Sequence, residues 1–366
     1  MKIVIAGGGT AGHVFPAVAL AQELAAGGHH VVFLGTEEGL EARLLPEAGF
    51  DFTPIGAAPL ARRLSVATMR APVTALRSVR ACRPLVADAD AVVGMGGYVS
   101  VPPVLAARRE HRPIVLHEQN AVPGLATRLL ARGAGAVALS FADAAARLPR
   151  RVRTVVTGNP VRERILAVPA SRDALRTEAM AALDLEDGRT TVVVFGGSLG
   201  ALHIDRVVAG TIEHLRERDD LQLLVLTGPR HLEVVRGPAS RSMPLRVRPL
   251  PFLDRMELAY AAADAVVARA GATSIAELTV CGLASLLIPY PHATANHQDA
   301  NARELERAGA AEVLADADLR VDDLAARITR LADEPDRRRA MGECAAAWAR
   351  PDAAARLAEL VVDVAS

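Results

Sequence analysis

Lys2-Ile3-Val4-Ile5-Ala6-Gly7-Gly8-Gly9-Thr10-Ala11-Gly12-His13 is the stretch on which the fold turns. Its opening residues are a near-continuous apolar run, the pattern of a strand buried on both faces of a parallel sheet. The glycines that follow let the backbone turn sharply and bring amides to the start of a helix. That helix is predicted from about Val14 to Ala26, and Val31–Leu34 reads as the next strand. Strand, glycine turn, helix and strand in this order make a βαβ unit.

Outward from there, the pattern restarts in mid-chain. Thr191–Phe195 is a second buried-strand run, and Gly196-Gly197-Ser198-Leu199-Gly200 with a helical stretch follow it. Ala89–Val93 leads into Gly96-Gly97, while Ala263–Val267 leads into Gly271. Each is followed by a helix and another apolar run, Ile114–Leu116 and Leu286–Ile288. Two similar doubly wound, Rossmann-like α/β halves explain this better than one long sheet, and 366 residues suffice for two cores. The expected domains are residues 1–160 and 161–346, joined near Gly158-Asn159-Pro160-Val161-Arg162 just after the run Thr154–Val156. Residues 347–366, with Pro351 and then a helical pattern, are expected to pack back on the first half.

Composition narrows the function classes. With 51% hydrophobic and 23% charged residues the chain is globular in type, and a formal net charge of zero gives no global argument for a nucleic-acid partner. Three cysteines without a Cys-x-x-Cys pairing read as reduced thiols of a cytosolic protein. No apolar run approaches the roughly 20 residues of a membrane-spanning helix. Lys2, the apolar residues after it and Ala17-Val18-Ala19 imitate a signal peptide, but three glycines and His13 interrupt them, so the mature chain is expected to begin near Met1.

Gly7–Gly12 fits the G-x-G-x-x-G dinucleotide fingerprint, and Glu37 after the second strand is placed to be its ribose-binding acid. Alone, that keeps a dehydrogenase using NAD or FAD open. His13 points elsewhere, because a dinucleotide loop needs no titratable group at its mouth. The second loop, Gly196–Ala201, repeats the phosphate-cradle chemistry and adds the Ser198 hydroxyl. Ala270-Gly271-Ala272-Thr273-Ser274-Ile275-Ala276-Glu277 is a further turn entering a helix. Its first-turn amides suit a diphosphate, and Glu277 suits a ribose hydroxyl pair. Gly271 as a tight turn and Glu277 as a surface charge are the plainer readings. The position of all these pieces after strands, where α/β sheets bind ligands, favours a nucleotide.

Taken in order, Gly8–His13, Gly96-Gly97-Tyr98-Val99-Ser100, His117-Glu118-Gln119-Asn120, Gly158–Arg162, Gly196–Ala201, Arg269–Glu277 and Pro291–Gln298 resemble the motifs of the MurG family. These are the UDP-GlcNAc:lipid I transferases of peptidoglycan synthesis, of the GT-B fold with the active site in the cleft between two domains. The resemblance runs from the first strand to about Ala311. It implies inverting transfer of GlcNAc to the muramyl 4-hydroxyl of lipid I, giving lipid II, with no cofactor. It implies that Leu253 presents its backbone to uracil and that Glu277 takes the ribose hydroxyls. Ser198 and the Ala272–Ser274 turn, continued by Ile275 and Ala276, would hold the diphosphate, while His297 and Gln298 contact the sugar. Thr10, Ala11, Gly12 and Asn120 would reach the donor sugar, and Arg162 would close the site. Gly9, His13, Gly96, Gly97 and Tyr98 would meet the acceptor diphosphate. Val101 departs from the Gly often found there, and Thr273-Ser274-Ile275 varies the usual diphosphate turn.

Inverting transfer needs a base, and His13 is the first candidate because imidazole titrates near neutrality; the alternative is a His that only holds the loop or an acceptor phosphate. Glu118 is the reserve. Asp88-Ala89-Asp90 and Asp316-Ala317-Asp318 look like metal-binding acid pairs, but two carboxylates alone rarely fix a divalent ion, so both read as surface acids. His111, His214 and His231 read as solvated, and no metal site is expected.

Between Pro59 and Pro84 lie Arg62, Arg63, Arg70, Arg77, Arg80 and Arg83 and no acid. On a helix with Pro72 in its first turn, Arg77, Arg80 and Arg83 interleave with Val73, Leu76 and Val79 on one face. Such a face fits an anionic headgroup layer as well as plain solvent. With the lipid-linked acceptor implied by the resemblance, the expectation is a peripheral protein on the cytoplasmic membrane face. An association with a cell-wall synthesis or division complex stays open. The competing readings are a transferase with another acceptor and a nucleotide-sugar-binding module without catalysis.

Overall fold

The structure, a computed structural model, describes residues 1–56 and 66–366, with 66–75 described by their backbone alone. The chain divides into two units, Met1–Arg162 with Arg350–Ser366, and Glu163–Ala349.

In the first unit the elements run β1 (Lys2–Ala6), α1 (Ala11–Ala26), β2 (His30–Gly35), α2 (Leu40–Glu47), β3 (Asp51–Pro54), α3 (Val66–Val86) and β4 (Ala91–Gly94). They continue with α4 (Val101–Arg109), β5 (Ile114–Glu118), α5 (Leu125–Leu130), β6 (Ala136–Leu139) and β7 (Thr154–Val156). The seven strands are parallel, in the order β3-β2-β1-β4-β5-β6-β7. Ile3, Val4 and Ile5 are fully buried, as their uninterrupted apolar run requires.

The second unit repeats the plan. Two helices, α6 (Glu163–Leu166) and α7 (Val168–Ala182), precede β8 (Thr190–Phe195), α8 (Leu202–His214), β9 (Leu221–Leu226), α9 (Leu232–Ala239) and β10 (Arg246–Leu250). Then come α10 (Met256–Ala262), β11 (Ala265–Ala268), α11 (Ala272–Val280), β12 (Ser285–Leu287), α12 (His297–Arg307), β13 (Ala311–Val313), α13 (Val321–Asp333) and α14 (Pro335–Trp348). Its six parallel strands are ordered β10-β9-β8-β11-β12-β13. In each sheet the order reverses beside the first strand, at β1/β4 and at β8/β11. Loops at the carboxyl ends of those strands diverge there and open a ligand crevice.

The last helix, α15 (Ala353–Ala365), belongs to the first unit. Leu357, Leu360 and Val361 share a core with Ile3, Ile5, Val93 and Val115, and each such side chain contributes roughly 1.5–3 kcal/mol when fully buried.

Three local expectations are corrected. Helix α1 begins at Ala11 rather than Val14, so His13 stands in its first turn. Helix α3 begins at Val66, which puts Pro72 inside it rather than in its first turn. Nor, among the described side chains of α3, does Val79 share the face of the arginines. Val79 packs into the core with Cys82 and Val86, while Leu76, Arg77 and Arg80 are exposed and Arg83 pairs with Glu110. Arg62, Arg63 and the side chains of Arg70 and Val73 lie outside the described residues.

Candidate functional site

In the first unit the loop after β1 is built around one carboxylate. Glu41, on α2, is fully buried. It accepts hydrogen bonds from the Gly9 amide at 3.0 Å, the Thr36 amide at 2.9 Å and the Thr36 hydroxyl at 2.7 Å. Burial works against its charge, yet these donors together leave its carboxyl below the usual glutamate range. A Cβ built on Gly8 or Gly39 would fall 2.1 or 2.2 Å from that side chain, so the glycines are there to admit it. The sequence motif marks phosphate binding, but here a buried anion already occupies the Gly9 amide. A dinucleotide pyrophosphate would meet that charge, which counts against the dehydrogenase reading, and Glu37 is exposed instead of standing over the loop. The same fact withdraws the Gly9 amide from the acceptor diphosphate.

His13 is held by the residue that starts its helix. Thr10 Oγ1 lies 2.8 Å from His13 Nδ1, and the Nε2 edge faces the turn after β4, where a Cβ on Gly96 would lie 3.4 Å away. Gly96 and Gly97 adopt φ values of 85° and 70°, a left-handed turn that glycine makes without strain. Tyr98 packs over Gly9. Arg162 stacks its guanidinium 4.2 Å from the Phe15 ring centroid, on the same helix as His13.

Beneath this surface, His117 donates through Nε2 to the Gly158 carbonyl at 3.1 Å and faces the Gln119 amide nitrogen through Nδ1 at 3.1 Å. Burial is the main cause that pushes its pKa down to about 4. Gln119 in turn donates to Met95 O at 2.7 Å, tying β5 to the Gly96 turn. Glu118 is 3% exposed, and its oxygens accept the amides of Asn120 and Gly124 at 3.1 and 2.9 Å. Its geometry is that of a residue orienting Asn120.

In the second unit, Ser198 and Leu199 stand exposed at the tip of the loop after β8. The turn after β11 enters α11, where Gly271 caps the helix with no side-chain bond, so its dipole and first-turn amides face the crevice. Ala272, Thr273 and Ser274 form that first turn. Ile275 and Ala276 are buried, and the Ile275 amide bonds Gly271 O, so the Ile275 side chain and amide both turn away from any ligand. Glu277 is 4% exposed and accepts the Tyr260 hydroxyl at 2.8 Å. Leu253 follows β10. Ala295 and Asn296 take φ of 53° and 54°, a strained left-handed pair just before α12. His297 and Gln298 open that helix, bonded to Thr294 O at 2.8 Å and to the Tyr290 amide at 2.9 Å.

Several side chains that organise these loops carry no motif. Besides Glu41 they are Tyr260; Asn301, which donates to Ala270 O at 3.2 Å; and Arg269, which donates to the carbonyls of Ile288 and Pro289 at 3.2 and 3.1 Å. Asp316 is no surface acid. It pairs with Arg269 and His203, and although burial opposes its charge these bonds hold its carboxyl below the usual aspartate range. His231 is likewise not solvated, for it pairs with the buried Asp205 at 3.1 Å. Asp88 pairs with Lys2. Among the described residues, no group of three or more His, Cys, Asp or Glu could hold a metal ion, and no helix is long and apolar enough to cross a membrane. On the outer surface, α5 exposes Leu125 and Leu129 (57% and 67%) with Arg128 and Arg132. Both α3 and α5 pack on α4.

Residues 3–139 match the glycosyltransferase family 28 N-terminal domain, and residues 191–357 match the family 28 C-terminal domain. A UDP-N-acetylglucosamine--N-acetylmuramyl-(pentapeptide) pyrophosphoryl-undecaprenol N-acetylglucosamine transferase of Halothermothrix orenii is 40% identical over 100% of this chain and 99% of its own. The chain belongs to this family, the MurG transferases. A protein of the same name from Clavibacter sepedonicus is 41% identical over 98% of this chain and 95% of its own. The crystal structure of Acinetobacter baumannii MurG matches with a TM-score of 0.77 at 30% identity, covering 99% of each chain. As a MurG family member the protein is a hexosyltransferase built from two Rossmann-like parallel-sheet domains of the GT-B class.

Proposed function

We propose that the enzyme transfers GlcNAc from UDP-GlcNAc to the muramyl 4-hydroxyl of lipid I, with inversion, releasing UDP and giving lipid II. With Nδ1–H donating to Thr10, the His13 Nε2 is the basic nitrogen that takes the acceptor hydroxyl proton. The freed oxygen attacks the GlcNAc anomeric carbon as its bond to the diphosphate breaks, and the electron pair leaves with UDP. The α11 N-terminus and Ser198 take up the charge that develops on the diphosphate. Glu277, fixed by Tyr260, accepts from the ribose hydroxyls; Leu253 presents its backbone to uracil. His297 and Gln298 contact the donor sugar, with Thr10, Ala11, Gly12 and Asn120 contributing from the first unit, and Arg162 closes the site. The Gly96-Gly97-Tyr98 turn receives the acceptor diphosphate. Glu118 acts by orienting Asn120.

The protein works as a peripheral enzyme at the cytoplasmic membrane face. Exposed Leu76, Arg77 and Arg80 on α3 enter the headgroup layer together with Leu125, Arg128, Leu129 and Arg132 on and after α5.

The observation that carries this reading is full-length kinship at 40% identity with a transferase of that printed name. The test is transfer of labelled GlcNAc from UDP-GlcNAc to a short-chain lipid I analogue with EDTA present. A lipid II-like product with inverted anomeric configuration is expected. Saturable UDP-GlcNAc binding without product would overturn the acceptor assignment, and product formation abolished by EDTA would overturn metal-free departure of UDP.

A further inference from the structure

The loop after β8 is locked to the turn after β9 by contacts that the donor reading does not use. Gly200 adopts φ 76° and approaches so closely that a Cβ on it would lie 1.9 Å from Thr227 O. Gly228, at φ 77°, would place a Cβ 2.6 Å from Gly200 N. Across this contact runs one polar link. Asp205, in the first turn of α8 and 1% exposed, receives the Ala201 amide from its own loop. It also faces His231 Nδ1 from the neighbouring turn, at 3.1 Å. His231 N in turn bonds Gly228 O, so both ends of the link reach the glycine contact. Arg269, after β11, lies within electrostatic reach of Asp205 and is itself held by Asp316, which His203 of α8 also binds.

This carboxylate is expensive to keep. Burial pushes Asp205 up to about 6, although His231, the Ala201 amide and Arg269 all pull it down. A group whose folded value is raised contributes stability below its unfolded value near 3.8 and loses that contribution as pH rises through 6. At neutral pH the charge on Asp205 therefore depends on the bonds it accepts from the Ala201 amide and on its pairing with His231, the same contacts that tie the two turns together.

We propose that Asp205 and His231 are positioning residues: together they latch the Gly196–Ala201 loop to the Thr227–His231 turn and set the geometry in which the donor diphosphate is held. The inference rests on the reading of that loop as part of the donor site.

The experiment compares steady-state kinetics and UDP-GlcNAc binding of the full-length enzyme with Asp205→Asn, His231→Ala and Ser198→Ala, alongside their unfolding midpoints at pH 7.5. Asp205→Asn keeps the shape but offers one acceptor for two donors, and it removes the buried charge. Loss of the charge offsets the unpaired donor, so its midpoint should move little while KM for UDP-GlcNAc climbs about tenfold and kcat stays within about threefold. His231→Ala, a change at a partly buried position outside the hydrophobic core, should raise KM to a similar degree. A purely structural role would instead make affinity fall only where the midpoint falls. If Ser198→Ala weakens the donor while both latch variants bind normally, the latch is overturned and the loop assignment stands. If all three bind UDP-GlcNAc as the parent does, the donor reading of the loop fails and takes the latch with it.

Discussion

Two glycine loops occupy corresponding places in the two sheets, after β1 and after β8, and they are held in opposite ways. The first closes on Glu41, whose three hydrogen-bond donors come from Gly9 and Thr36 and which sits below its ordinary range. The second rests on Asp205, which shares its charge with His231 and sits above it. A loop already saturated by an internal anion is poorly suited to a second one. In the proposed reaction the first loop thus serves as a rigid mount for Thr10 and His13, and the donor diphosphate is left to the second unit, with its α11 N-terminus and the Ser198 hydroxyl. Similar sequence patterns, read as similar phosphate cradles, are held by different buried carboxylates.

The largest test of that division is a pair of substitutions. His13→Ala should lower kcat about a thousandfold while leaving UDP-GlcNAc affinity within about threefold. Glu277→Ala should do the reverse, weakening the donor about thirtyfold through loss of a charged hydrogen-bonding group. Equal loss of donor affinity in both, by calorimetry, would break the comparison.

His117 sharpens it from beneath. Its folded value near 4 lies below the ordinary 6.5, so its contribution is present above pH 6.5 and is lost as pH falls through 4. Full loss amounts to roughly 3 kcal/mol, at about 1.4 kcal/mol per pKa unit. Urea unfolding of the parent and of His117→Gln between pH 7 and 4 should show a shallower decline in the variant; parallel curves would remove His117 from the acid sensitivity.

Glu41→Gln turns an amide NH2 toward a site filled with donors. It should destabilise the first unit by about 1–3 kcal/mol and lower kcat about tenfold with donor affinity retained, through a loosened His13 mount. A normal kcat would mean that the loop keeps its shape without the carboxylate. The smallest effect belongs to the surface. Arg77→Gln and Arg80→Gln should each weaken binding to vesicles containing anionic phosphatidylglycerol about fivefold, near 1 kcal/mol per charge at low salt, and should leave neutral vesicles unaffected. Unchanged binding to anionic vesicles would move the membrane contact off α3.

Much of this was legible in the chain because local rules decide it. Parallel strands buried on both faces must be apolar without interruption, so β1 and β8 announce themselves, and the glycine turns that follow them mark where each sheet can bind a ligand. The two-domain α/β plan followed from those runs, and the GT-B class and the transferase chemistry from the resemblance of the ordered motifs to the MurG family. Local rules do not say which partner a polar side chain finds. Glu41 looks like any acid on a short amphipathic helix, and nothing near Asp205 points to His231, which lies 26 residues further on. Asp316 reads as a loop acid until Arg269 is brought against it from the end of another strand. Helix periodicity on α3 supplied the arginines and the apolar residues but not the direction of the core, which took Val79 inward and left Leu76 outside. Hydrophobic pattern and glycine placement are properties of neighbouring residues and can be read in line. Hydrogen-bond partners of buried charges depend on which strand ends the topology brings together, and only the tertiary structure decides that.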